Sequence, residues 1–296
     1  MKWRALAVGL LVGALGLTAC GKEGAPGGGG SPVVNEPAAS NVQVAGSATF
    51  ERMKQRGQVI IGVKNDQPGL GQFDPTSNTY SGFDIEIARL VASQLGFSPD
   101  KIKYSVVQSA AREDAIARGD VDYYVGTYTI NENRKQRVAF AGPYFVAGQG
   151  LLVREDETAV TGKESLKGKK VCSANGSTPL QRVQRQQLTE PNNIIGFQTY
   201  TQCVEQLRNK QVDAVTTDDA ILKGYAAQSP EQLKLVGQPF SSEPYGIGLP
   251  HDDKALRDKV NDVLQQSFQD GTWQKIYDAT LGKSGSPSGP PQLQRY

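Results

Sequence analysis

From about residue 48 to 282, short apolar runs alternate with stretches of helical spacing. Val59-Ile60-Ile61-Gly62-Val63 is a compact apolar run that suits a buried strand. Phe83 to Gly96 places Ile85, Ile87, Ala88, Val91 and Leu95 at helical spacing and stops at a glycine. Strands are predicted over Ile102–Val107 and Val121–Thr129, with a helix over Ala110–Arg118 between them. The second half repeats the theme, with strands over Lys169–Ala174, Ile194–Tyr200 and Val212–Thr216. Helices are predicted over Pro179–Gln187, Gln202–Asn209 and the amphipathic Leu256–Phe268. Such alternation argues for an α/β protein with mostly parallel sheets. Two glycine-bearing extended segments, Phe145–Leu152 and Tyr245–Leu249, read as crossovers between two lobes. The predicted layout is a lobe 1 formed from 48–146 and 245–282, a lobe 2 over 147–244, and a cleft between them.

The two ends break this pattern. Lys2 and Arg4 precede fifteen uncharged residues, Ala5 to Ala19, a run shorter than the about 20 residues a membrane span needs. It ends in Leu17-Thr18-Ala19-Cys20-Gly21, which resembles the lipobox of bacterial lipoproteins. The expectation is a signal peptide over 1–19 and a diacylated Cys20, with a plain secretory signal as the alternative. Residues 20–47, rich in Gly, Pro, Ala and Ser, read as a flexible tether, and 283–296 as a disordered tail.

Composition narrows the function further. Removing the signal leaves 30 basic and 30 acidic residues, so nothing draws the body to nucleic acid or anionic lipid. Any charge recognition is local. With Cys20 lipidated, Cys172 and Cys203 remain as an even pair in an oxidising compartment. A disulfide between them is favoured over two buried thiols, and would add about 3 kcal/mol by closing its loop. The single histidine, His251, argues against a metal site, and no cofactor is expected.

Gly82-Phe83-Asp84-Ile85-Glu86-Ile87, followed by Val91, Ala92 and Leu95, resembles the signature of the family 3 extracellular solute-binding proteins. Gly119 to Asp122, Thr129 to Arg134, Phe140 to Tyr144, Asp213 to Asp218 and Tyr245-Gly246-Ile247 resemble further blocks of that family. Gly271-Thr272-Trp273 with Ile276-Tyr277 resembles its closing helix. The run Lys64 to Leu70 is similar to glutamate-binding lipoproteins of Gram-positive importers. The resemblance implies a hinged, two-lobed clamshell that delivers an amino acid to an ABC permease and its ATPase. It implies a monomer outside the cytoplasm, held to the cell membrane only through its N-terminal lipid (diacylglycerol and palmitate on Cys20).

A free amino acid carries an α-carboxylate and an α-ammonium, and a selective cleft needs a partner for each. Arg134, at the family's matching position, is the carboxylate clamp, because a guanidinium donates two parallel hydrogen bonds. Thr127 and Thr129 are matched to contacts with the ammonium and carboxylate. Gly176-Ser177-Thr178 precedes Pro179 at a helix start, where backbone N–H groups suit the same carboxylate from the opposite lobe; an ordinary cap is the alternative. Asp218 is matched to the ammonium. Lys64 and Arg112 match cations that face the ligand's side chain in dicarboxylate-binding relatives, which points to glutamate or aspartate. Neutralisation of Lys64 by Asp66 would favour glutamine or asparagine instead.

Enzymes also use related clamshells, and a periplasmic dehydratase or lytic transglycosylase would need an acid in the cleft. Glu86, Glu113 and Glu132 are the nominees, but Glu86 lies in the signature helix and the other two read as solvated. His251 has no motif context for a catalytic triad. The expected protein is a binding protein, not an enzyme.

Overall fold

The computed structural model describes residues 33, 37–284 and 288–296, and it is an α/β protein of two lobes. Lobe 1 begins with α1 (Ala48–Arg56), β1 (Val59–Val63), the short strands β2 (Asp66–Gln67), β3 (Gly71–Asp74) and β4 (Thr79–Ser81), and α2 (Phe83–Gln94). It continues through β5 (Ile102–Val106), α3 (Arg112–Arg118), β6 (Tyr123–Val125), α4 (Glu132–Lys135) and β7 (Val138–Ala147). Lobe 2 holds β8 (Gln149–Arg154), β9 (Val171–Ala174), α5 (Thr178–Arg185), β10 (Ile194–Phe197), α6 (Tyr200–Arg208), β11 (Ala214–Asp218), α7 (Asp219–Gln228) and β12 (Leu233–Val236). The chain returns to lobe 1 with β13 (Glu243–Pro250), α8 (Lys254–Gln269) and α9 (Thr272–Ala279).

Each lobe has a five-stranded sheet, ordered β5-β1-β6-β13-β7 in lobe 1 and β10-β9-β11-β8-β12 in lobe 2. Three strands of each run parallel, as the alternating helices require. The other two strands of each sheet join it by antiparallel pairing. β13 pairs antiparallel with β6 and β7, and β8 with β11 and β12. These strands connect the lobes directly instead of through a helical crossover. The three-stranded sheet β2-β3-β4, which the sequence did not suggest, projects from the end of β1.

The core follows the apolar pattern. Ile61, Val63, Ile85, Ile87 and Val91 are fully buried in lobe 1, and Val215 and Leu152 in lobe 2. Near the crossovers, Phe83 meets Tyr144, Phe145, Trp273 and Tyr277, and the Trp273 indole donates to the Tyr144 carbonyl at 2.8 Å. Cys172 and Cys203 form a disulfide between β9 and α6.

Two expectations about the ends are corrected. The tether does not reach residue 47: Val33 N–H donates to Glu86 and Ala39 N–H to the Ser93 carbonyl. Val44 is buried, and Ser47 caps α1. Residues 288–296, expected to be disordered, lie against lobe 1. Gln294 N–H donates to the Gly142 carbonyl, Arg295 pairs with Asp262, and the Tyr296 hydroxyl accepts from Phe140 N–H. The tail's few polar anchors outweigh its Gly/Pro composition because β7 is an edge strand that offers unpaired backbone groups. The signal segment 1–19 and Cys20 lie outside the described residues. Among the described residues, no helix is long and apolar enough to cross a membrane.

Candidate functional site

The sequence-predicted residues converge where the parallel strands end, as expected for the crevice of an open α/β sheet. Lys64 follows β1, Thr127 and Thr129 follow β6, Gly176 follows β9, and Asp218 ends β11. Arg112 opens α3 and Arg134 lies in α4. Lys64, Arg112, Arg134 and Asp218 are 1%, 2%, 6% and 3% exposed, so four charged groups are buried at one interlobe junction.

Burying these charges is costly unless each finds partners. Arg134 donates from Nη1 to the Thr129 carbonyl at 2.6 Å, and its Nε lies 3.2 Å from Glu113 Oε1. Its Nη2 donates across the cleft to the Gly176 carbonyl at 3.3 Å. The Tyr128 ring lies beneath both Arg112 and Arg134, at 4.1 and 5.0 Å from the guanidinium carbons. Burial and the charge of Arg112 lower the Arg134 pKa to about 10, which leaves it protonated at neutral pH.

Gly176 makes the close approach of the lobes possible. It has φ +74°, and a Cβ there would sit 2.6 Å from the Ala110 Cα of lobe 1. Ser177 spends its hydroxyl on capping α5, accepting from Leu180 N–H at 3.1 Å, so the cap reading holds for that side chain. The buried Thr178 hydroxyl has no partner among the described residues.

Asp218 receives the Tyr245 hydroxyl on Oδ2 at 2.7 Å, while Oδ1 has no partner among the described residues. Burial, reinforced by the negative charge of Glu243, raises the Asp218 carboxyl to about 7. Lys64 Nζ donates to Ser109 Oγ at 2.9 Å and Gln108 Oε1 at 3.4 Å, and makes no ion pair among the described residues. Burial and the nearby Arg112 lower its pKa to about 7. Asp66 only partly offsets this, because its carboxylate turns away to accept Tyr200 N–H of lobe 2 at 2.8 Å.

The predicted strand over Val121–Thr129 stops at Val125, and Thr127 adopts φ 45°, an uncommon value for a β-branched residue. Asp84 holds it there: its Oδ2 accepts Thr127 N–H at 2.9 Å and its Oδ1 the Tyr144 hydroxyl at 2.8 Å. The Thr127 hydroxyl is bonded to Gln67 at 3.1 Å. Asp84, Tyr128 and Tyr245 were not foreseen as site residues, although all lie within or beside the motif blocks; a charged Asp84 amid apolar neighbours was the available signal.

The three candidate acids resolve differently. Glu113 is not solvated but pairs with Arg134, Glu86 pairs with Arg89, and Glu132 is exposed beside Lys135. No cluster of three or more His, Cys, Asp or Glu suited to a metal occurs among the described residues.

Residues 59–283 match the bacterial extracellular solute-binding proteins, family 3. The chain is 38% identical to the glutamate-binding protein GluB of Corynebacterium efficiens over 239 residues, 77% of this chain and 80% of the relative. It is 36% identical to a glutamine-binding protein of Geobacillus stearothermophilus over 253 residues, 85% of this chain and 93% of the relative. Among solved structures, an ancestral arginine-binding protein bound to arginine superposes with a TM-score of 0.70 at 33% identity, covering 76% of this chain and 98% of that one.

Proposed function

The chain belongs to the bacterial extracellular solute-binding proteins of family 3, and on that footing we propose that it captures an acidic L-amino acid, glutamate or aspartate, for an ABC importer. The observation that carries this reading is the burial, at one interlobe junction, of Arg134 from lobe 1 and Asp218 from lobe 2. Arg134 takes the α-carboxylate and Asp218 Oδ1 the α-ammonium, with Thr127, Thr129, Gly176, Ser177 and Thr178 framing them. A zwitterion bridging the two lobes binds the closed form better than the open one, so binding and closure are one event.

The side-chain preference follows from charge. Of the buried cations at the junction, Arg134 is paired with Glu113, while Lys64 and Arg112 have no carboxylate within ion-pair distance among the described residues. Glutamate brings a second carboxylate for these two cations; glutamine does not. Lys64 and Arg112, without carboxylate partners of their own among the described residues, receive the second carboxylate.

The protein works as a monomeric carrier rather than an enzyme, since none of the nominated acids is both buried and uncommitted. It hands its ligand to a permease and ATPase, and a lipid on Cys20 keeps it at the outer face of the membrane. Calorimetry with a panel of L-amino acids tests this. We expect one-to-one binding of unchanged glutamate or aspartate, tighter than glutamine and asparagine. Turnover of any ligand, or binding of none, contradicts the proposal. Cys20→Ala should move the protein to the soluble fraction with its ligand affinity unchanged.

A further inference from the structure

The junction between the lobes includes a second contact, separate from the groups assigned to the amino acid. Asp66 lies in β2 of lobe 1, two residues beyond Lys64. Its Oδ2 accepts Tyr200 N–H at 2.8 Å and Thr201 N–H at 3.4 Å, the first two residues of α6 in lobe 2. A helix leaves its first N–H groups without intrahelical partners, and an anion there also meets the positive end of the helix dipole. In α6 the division of these donors is unusual. Thr199, the N-cap, serves Gln202 N–H, and the Gln202 side chain reaches back to Thr199 N–H. The two donors this box leaves over go to the carboxylate of the opposite lobe.

Neighbouring contacts tie the same strand to α7. The Tyr225 hydroxyl donates to the Asp66 carbonyl and is bonded to Thr201 Oγ1 at 2.9 Å. Gly224 presses against Pro68 so closely that a Cβ there would lie 2.3 Å from the Pro68 carbonyl oxygen. The Thr201–Tyr225 bond lies within lobe 2, but the Asp66 contacts and the Gly224–Pro68 approach all span the two lobes, so parting the lobes breaks them and returns the α6 N–H groups to water.

We propose that Asp66 is an interlobe latch: a lobe 1 carboxylate that completes the N-terminus of α6 only when the cleft is shut, and so sets how long a captured amino acid is held. This rests on the capture-by-closure reading, but not on which amino acid is bound. A latch acts on the closed state after the ligand has arrived. It therefore slows dissociation of every ligand alike, whereas Lys64 or Arg112 would distinguish one ligand from another.

The test is the dissociation rate of L-glutamate and L-glutamine from the full chain, followed by rapid dilution, together with the radius of gyration at saturating L-glutamate by small-angle scattering. In Asp66→Ala both ligands should leave about tenfold faster, with association rates nearly unchanged and a more open ligand-saturated ensemble. Asp66→Asn keeps an acceptor of the same shape and should lie between Asp66→Ala and the natural protein. Tyr225→Phe leaves the carboxylate bonded and removes one interlobe hydroxyl, so it should give a smaller acceleration of the same kind even if Asp66→Ala folds poorly. Unchanged dissociation in Asp66→Ala and Tyr225→Phe overturns the latch. So does faster loss of glutamate alone, which would move Asp66 into the side-chain pocket. A natural protein that binds neither amino acid overturns the capture reading itself, before any variant is made.

Discussion

Arg134 and Asp218 do different work at the same junction. Arg134 is held by Thr129 and Glu113 and aims one guanidinium nitrogen at Gly176 across the cleft. Removing it leaves Glu113 and the ligand's carboxylate without their donor, so Arg134→Ala should cost about 2–5 kcal/mol of affinity, read by calorimetry. Asp218 and Lys64 make binding sensitive to pH in opposite senses. Asp218 sits at about 7, raised by burial and then by Glu243 and Asp219, with the Tyr245 hydrogen bond and Arg112 opposing. An ammonium beside it stabilises the carboxylate, so binding expels the proton, and affinity for every amino acid should fall as pH drops below about 7. Lys64 also sits at about 7, lowered by burial and Arg112, with Asp66 opposing. A second ligand carboxylate stabilises its ammonium, so glutamate binding takes up a proton, and glutamate affinity should fall as pH rises above about 7. Glutamine should show only the acid limb, and Lys64→Met should remove the alkaline limb for glutamate. Identical pH profiles for the two ligands would contradict the side-chain assignment.

Elements decide how much of this site could be read from the sequence. The compact apolar run Val59–Val63 encodes a strand and the helical spacing over Phe83–Leu95 a helix, and both form there. The stretch 126–129 escaped, because its β-branched and aromatic residues read as strand while Asp84, 43 residues away, pulls Thr127 out of the sheet. Propensity is local and that bond is not. The antiparallel crossovers escaped for a similar reason, since direction depends on where the chain goes next. Residues 288–296 read as disordered because the tail is rich in Gly, Pro and Ser, but the edge of β7 supplies partners and Leu293 packs against the core. Removing residues 294–296 should lower stability by about 1–2 kcal/mol in denaturant melts and leave ligand affinity unchanged, because their hydrogen bonds and ion pair fall on Phe140, Gly142 and Asp262 rather than the cleft. The disulfide, with a sequence separation of 31, should likewise contribute about 3 kcal/mol to stability and nothing direct to binding; a Cys172→Ser, Cys203→Ser double variant tests it.

For the whole molecule, the proposed function makes closure the step that turns local charges into capture. Lobe 1 places Lys64, Arg112 and Arg134 at the junction and lobe 2 places Asp218 there, so on the proposed reading the partners for the two ends of a zwitterion come from different lobes. The division was legible because motif blocks from both halves carry those residues, whereas the contacts that hold the lobes together were not, since they pair positions such as Asp66 and Tyr200 that share no local pattern. The most direct test is a crystal structure of the protein grown with L-glutamate. The account predicts the α-carboxylate on Arg134, the ammonium on Asp218 Oδ1 and the distal carboxylate beside Lys64 and Arg112. Glutamate bound elsewhere, or Arg134 and Asp218 turned to solvent with the ligand in place, would contradict it.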